Sequence, residues 1–387
     1  MTDAPRKRRW PKVLAVLAAL ALLAAWWVDR QLEPVRLANT VLSAVGKSQG
    51  LEFSFSGTPD YSLRPEPRLR IPNLVARQPG GAAPMLTARE VEVSLPWATV
   101  WGDGPVVITR IALQSPALDM AALNDWLDGR PDSGETELPT LTDGVSIRDG
   151  RLTARDWRVE SLSLALPKLA PGQPASIDAS GRFLQATREI SFAAQLEAGT
   201  AGLDTALRLN SAGQLRDETL DLPWSLALDG RLEASGEPLR LIAERIEWKA
   251  RSPLPDFSGA GELTSGDSLA LELQGELPNW PEAWPTLPEP MVSSQAPLAL
   301  TLGYTGASDL TGPLQLLLRR DETTLEAGFA PSELMAWLEA GEANPLPPLV
   351  GELRTPSMVV EGVELEGVRI RIEEEPPSTD PGPSGEP

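Results

Sequence analysis

The 387-residue chain carries 54 Asp and Glu against 34 Lys and Arg and contains neither histidine nor cysteine. Lack of histidine excludes Ser-His-Asp and Cys-His nucleophile systems, His-ligated zinc and imidazole pH switches. Lack of cysteine excludes a disulfide framework, which a chain of this length does not need because it can bury a sizeable core.

Arg6, Lys7, Arg8, Arg9 and Lys12 precede an unbroken apolar stretch, residues 13–28. A membrane anchor is expected there, with Val13, Leu17, Leu20 and Leu23 in the hydrocarbon and Trp26 and Trp27 at the interface. The stretch is short against the roughly 20 residues of a full span, so a cleavable signal peptide is the alternative. Its one A-x-A site, Ala19-Leu20-Ala21, lies too deep for cleavage, and the downstream flank from Trp26 to Arg30 is bulky, which favours an uncleaved anchor. The basic residues 1–12 then stay cytoplasmic and the bulk of the chain is exported. That bulk holds 29 basic and 53 acidic residues, a net charge of −24, and such a surface repels nucleic acid and anionic lipid head groups.

Across residues 29–50, Leu32, Val35, Ala38, Val41, Leu42 and Val45 recur at helical spacing, with Gly46 and Gly50 as stop signals. This predicts a short amphipathic helix. From residue 51 the period becomes two. Val91, Val93, Leu95 and Trp97 alternate with polar neighbours, as do Leu162, Leu164 and Leu166. The pattern returns at Ile190, Phe192 and Leu196, at Leu203, Leu207 and Leu209, at Leu269, Leu271 and Leu273, and at Val368, Ile370 and Ile372. One apolar and one wet face per strand predicts antiparallel sheet, with roughly twenty strands over residues 51–372.

Asp149-Gly150 and Asp229-Gly230 each lie between two apolar runs and predict two-residue hairpin turns. Asp119 is expected to cap a short helix containing Leu123 and Trp126, and Ser332 one containing Leu334 and Trp337. Residues 278–297 hold six prolines and suggest a break in the β region. Residues 373–387, acidic and then rich in Pro, Ser and Gly, predict a disordered tail.

An apolar sheet face must be covered by a second sheet, by helices or by an apolar ligand. Helices are too few here, and periodicity alone favours a sandwich. If a ligand covers the face, the candidate lining residues are Val91, Val93, Leu95, Leu162, Leu164, Leu166, Phe192, Leu207, Leu209, Leu269, Leu271 and Leu273. The carboxylates fall mainly on the polar phase, as Glu90, Glu92, Glu272 and Glu366 do, which reads as a solvated face rather than an acid–base pair. No phosphate-binding loop, EF-hand spacing or other cofactor or metal motif is present in the sequence. Twelve tryptophans stand out, among them Trp97, Trp101, Trp157, Trp224 and Trp248 in or beside strands, where core packing is the simplest role.

The order of elements over residues 10–130 resembles the amino-terminal region of the AsmA-like family of Gram-negative inner-membrane proteins. The resemblance rests on the anchor, a helix ending near Gly46 and Gly50, a strand closed by Gly57, the Pro67-Arg68-Leu69-Arg70-Ile71 strand, the alternating strand from Leu86 to Leu95, and the strand from Ile111 to Pro116. It implies a mainly β protein: a single N-terminal transmembrane helix, then a long curved, taco-like antiparallel sheet with a few short capping helices and an apolar concave side. It further implies residence in the bacterial inner membrane with a periplasmic bulk, phospholipid as ligand, other envelope proteins as partners, and a role in lipid transfer to, or assembly and integrity of, the outer membrane. The chain departs from the family in being short and in lacking an evident second membrane-binding element at its end. About twenty strands at about 4.8 Å each give roughly 95 Å, so a partner or a place in a longer path is expected. The alternative class is an anchored scaffold of an envelope assembly or secretion complex, its sheet filled by its own side chains.

Overall fold

The computed structural model describes residues 34–62, 64, 66–81, 83–97, 108–129, 140–217, 220–236, 238–266, 268–282, 287, 291–307, 311–331, 333, 349–360 and 363–373. The expected anchor, with Val13, Leu17, Leu20, Leu23, Trp26 and Trp27, lies outside them, as do residues 374–387 and nearly all of the helix expected after Ser332. Among the described residues no helix is long and apolar enough to cross a membrane. The chain is mainly β; among the described residues are twenty strands and two helices, α1 (Pro34–Gln49) and α2 (Met120–Asp128), and the chain divides into compact units Met1–Leu169 and Ala170–Pro387.

The first unit contains β1 (Glu52–Ser54), β2 (Asp60–Ser62), β3 (Arg68–Arg77), β4 (Leu86–Ser94), β5 (Arg110–Gln114), β6 (Ala117–Asp119), β7 (Gly144–Thr153) and β8 (Arg158–Leu166). β3 pairs with β1, β2 and β4, and β4 with β5 and β6, all antiparallel. β7 joins β5 and β6 in parallel, a departure from the uniformly antiparallel sheet expected. The chain from α2 to β7 is long enough to return to the far end of the sheet, which a parallel pair requires.

α1 follows its predicted spacing in part: Ala38 and Leu42 face the sheet, whereas Val35 is exposed and Leu32 lies outside the described residues. Ala38, fully buried, packs with Leu69, Ile71, Leu74, Ala88 and Val91, and Leu42, Phe53 and Phe55 close the cluster. The helix stops at Gly50 (φ +64°), and the Leu51 N–H donates to the Gly46 carbonyl at 2.9 Å, the wide bond of a Schellman cap. The Trp126 indole N–H donates to the Gln49 carbonyl at 3.0 Å, so α2 satisfies another carbonyl at the end of α1. Asp119 caps α2 as expected, its Oδ1 accepting from the Ala122 N–H at 2.9 Å.

The second unit is one antiparallel meander of twelve strands. These are β9 (Ala175–Gln185), β10 (Arg188–Ala198), β11 (Asp204–Arg216), β12 (Asp221–Glu233), β13 (Leu239–Ala250), β14 (Phe257–Ser265), β15 (Leu269–Leu277), β16 (Leu298–Gly306), β17 (Leu314–Arg320), β18 (Thr323–Phe329), β19 (Val350–Val360) and β20 (Val363–Ile372). Each pairs with the next. The sheet runs on across the proline-rich segment 278–297, because β15 and β16 on either side of it pair directly, Leu277 opposite Leu298.

Neither Asp-Gly pair makes a hairpin. Asp149 and Gly150 lie inside β7, at a bulge where Asp149 takes φ +54°; a second irregularity at Ser161 of β8 (φ +52°) restores the register. Asp229 and Gly230 lie inside β12, opposite a bulge that leaves Glu244 of β13 without a partner in β12. A Cβ on Gly230 would stand 2.2 Å from the Ile242 carbonyl oxygen and 3.0 Å from the Ala243 Cα, so glycine serves close backbone approach there, not turn formation. The tight turns fall instead at Ala186-Thr187 and Asp321-Glu322, where Ala186 and Asp321 supply the positive φ.

Two stability outcomes are expected in denaturant titrations of the whole chain. Ile71→Ala, at a side chain only 1% exposed, lowers the stability of the first unit by about 2–5 kcal/mol. Gly230→Val forces backbone apart in the second unit and costs about 1–3 kcal/mol, whereas a surface change such as Gln195→Ala moves the midpoint little.

Candidate functional site

Directly opposed residues in neighbouring strands share a face, so the register of the second unit shows what lies along it. One row across all twelve strands reads Ile177, Leu196, Leu209, Leu228, Ile246 and Gly259, then Gly275, Leu300, Leu318, Leu325, Leu353 and Ile370. The adjacent row on the same face reads Ala175, Ala198, Leu207, Gly230, Ala243 and Gly261, then Leu273, Leu302, Leu316, Ala327, Gly351 and Ile372. Neither row holds a polar side chain. Eleven interstrand steps at about 4.8 Å make this double stripe about 53 Å long.

The bulge in β13 preserves the stripe. Ala243 and Ile246 are three residues apart, yet Ala243 stands opposite Gly230 and Gly261 while Ile246 stands opposite Leu228 and Gly259. The extra residue keeps both apolar side chains on one face and leaves Glu244 and Arg245 exposed. Aromatic rings pack closely against glycines in and beside the stripe. A Cβ on Gly259 or Gly275 would come within 2.8 or 2.7 Å of the Phe257 ring, and one on Gly213 within 2.9 Å of Trp224. Trp224 also stacks on Trp248, ring centres 5.6 Å apart.

Most of these side chains are half-buried rather than buried. Among the described residues, Leu287 and Met291 cover part of this face at β15, β16 and β17. There Leu287 and Met291 pack on Leu277, Leu298 and Leu318, with Trp280 alongside, and the Arg320 guanidinium donates to the Met291 carbonyl at 2.8 Å. In the first unit the apolar face runs from Val91 through Leu113 and Ile147 to Leu164, and from Val93 through Ile111 and Val145 to Leu166. α1 covers its β3–β4 end.

The candidate lining residues therefore fall into two groups. Phe192, Leu207, Leu209, Leu269, Leu271 and Leu273 share the half-buried apolar face of the second unit, Leu209 in the first row and Leu207 and Leu273 in the second. Leu162, Leu164 and Leu166 are half-buried on β8. Val91 is buried beneath α1 and so is closed to a ligand, while Val93 is half-buried against the same cluster; Leu95 lies past the end of β4, its N–H donating to the Pro67 carbonyl at 2.9 Å. The residues missed from the sequence include Ile246, where the bulge at Glu244 breaks the alternation, and Leu226, Leu228, Leu300 and Leu302, whose alternation is plain in the sequence.

The opposite face of the second unit is ionic. Arg208 pairs with its cross-strand neighbours Asp229 (2.7 Å) and Glu197 (3.8 Å), and Arg240 with Glu262 (2.7 Å) and Glu233 (3.5 Å). Hydrogen bonding from Arg240 holds the Glu262 carboxyl below its ordinary range, and bonding from Arg354 does the same at Glu352. These exposed pairs contribute little stability each, and fix register more than they add energy. Among the described residues no cluster of acidic side chains could hold a metal ion.

Asp204 is a further carboxylate held in its charged form. Its carboxylate accepts from the Ser235 hydroxyl at 2.6 Å and from the Ser235 and Ala234 N–H groups at 3.0 Å, which lowers its pKa from the ordinary 3.8. A depressed folded pKa means that its contribution is complete above that ordinary value and is lost as pH falls through the folded one. Asp204→Asn is expected to flatten the stability profile in that acid window and leave it unchanged near pH 7, checked by denaturation across pH. No family model, curated protein or solved structure matches this chain.

Proposed function

We propose that this chain is an inner-membrane-anchored, non-enzymatic protein of the AsmA-like kind, with its bulk in the periplasm, that carries phospholipid acyl chains along an apolar sheet face. In this reading it assists lipid transfer to, or the assembly and integrity of, the outer membrane, together with other envelope proteins. The supporting observation is the double stripe of the second unit, in which no polar side chain interrupts twelve consecutive strands. An acyl chain needs continuous apolar surface and offers no hydrogen bonds, so a single buried polar group along its path would go unsatisfied. A packed protein core tolerates an occasional paired Ser or Thr; a path for hydrocarbon tolerates it far less.

A scaffold whose sheet is filled by its own side chains is the second reading. The cover formed by Leu287 and Met291, and the seat of α1 on β3 and β4, favour it locally.

The deciding measurement is native mass spectrometry with lipid extraction on a fragment beginning near Leu32, purified without detergent and checked for a cooperative thermal transition. Phospholipid at one or more molecules per chain is expected. Leu271→Glu or Leu164→Glu should reduce bound lipid several-fold with the transition retained. A folded, lipid-free fragment would eliminate the transfer reading, and unfolding by both substitutions would place these leucines in a packed core.

A further inference from the structure

β20 closes the described meander, paired with β19 on one side. Among the described residues no strand pairs with its other side, whose row of N–H and C=O groups is the usual template for adding a strand. Its apolar side chains are unusually exposed for a sheet: Val363 is 59% accessible, Leu365 44% and Ile370 42%.

The strand also has an ordered charge pattern. Gly367 takes φ +62° between Val368, opposite Thr355, and Glu366, opposite Ser357. One left-handed residue within a strand turns the residues beyond it to the other side. Asn73 (φ +47°) does so in β3, where Ile71 and Leu74, three apart, enter the same core cluster. The turn at Gly367 places Val363 and Leu365 on the side of Val368 and Ile370, and Glu364 and Glu366 on the side of Arg369 and Arg371. One half of the polar side of β20 is then acidic and the other basic.

We propose that β20 pairs antiparallel with β20 of a second copy of this chain about a two-fold axis between Gly367 and Val368. In that register Glu366 faces the second copy's Arg369 and Glu364 its Arg371, each twice by symmetry. On the other side Leu365 meets Ile370. Parallel pairing would instead set Glu against Glu and Arg against Arg, which is destabilising. Charges on an edge strand commonly prevent association; this antisymmetric arrangement instead gives the self-complementary register two opposite-charge contacts per chain. The two apolar faces become continuous across the junction, because a two-fold axis normal to the sheet matches like faces. The pairing stands whether or not those faces carry lipid.

The test uses the full chain in mild detergent, its mass measured by sedimentation. Wild type is expected at twice the 41.6 kDa of one chain. Glu364→Arg with Glu366→Arg, and separately Arg369→Glu with Arg371→Glu, are each expected to be monomeric with unchanged circular dichroism. An equimolar mixture of the two variants should return to the dimer mass, a rescue that association through any other surface would not give. Monomeric wild type, dimeric single variants or a mixture that stays monomeric would each overturn the proposal. Should a charge variant fail to fold, Leu365→Cys and Ile370→Cys chains, which have no other cysteine, decide the matter under mild oxidation. Crosslinking in the mixture and not in either chain alone supports the pairing; its absence from the mixture refutes it.

Discussion

Unbroken strand register is the constraint on which the second unit depends. A strand alternates its side chains between two faces, so a slip of one residue at any junction would carry the apolar set of every later strand to the wrong side. Eleven successive junctions hold, from Ile177 opposite Leu196 to Leu353 opposite Ile370. The cross-strand ion pairs of the polar face act in the same direction. Arg208 sits directly between Glu197 and Asp229, and a one-residue slip would set it against an apolar neighbour. Energetically such pairs are minor; as register marks they are well placed.

Where the chain departs from a regular strand, the departure preserves this order. The bulge at Glu244 lets β13 cross the sheet without exchanging faces. Glycines within the strands give up side-chain burial of their own and make room for a neighbouring ring, as Gly259 and Gly275 do for Phe257. The surface remains apolar where the sequence has no apolar side chain. Leu287 and Met291 extend the same logic by covering part of the apolar face at β15 to β17.

The two units solve one problem in different ways. In the first, α1 closes the β3–β4 face, with Ala38 buried in the cluster and Trp126 tying the helix end to α2. In the second, no helix among the described residues packs on the twelve-stranded face, and most of its leucines stay half-exposed. Half-exposed leucines at this density forgo much of the roughly 1.5–3 kcal/mol that burying each would contribute. A face left in that condition is the physical ground for proposing a ligand.

Much of this was legible in the sequence. Period-two alternation located the strands containing Leu164, Phe192, Leu209 and Leu271, and helical spacing with Gly50 located α1, because these signals are local and strong. The Asp149-Gly150 and Asp229-Gly230 pairs misled for an equally physical reason: positive φ and the lack of a Cβ serve a bulge as well as a turn, and only the pairing partner distinguishes them. The parallel entry of β7, the burial of Val91 under α1 and the packing of Met291 depend on residues distant in sequence, which no local pattern encodes. Thus the sequence by itself determined which side chains are apolar and at what period they recur, whereas tertiary structure decided which of them are covered. Periodicity is a property of one strand, and coverage is a property of what packs on it.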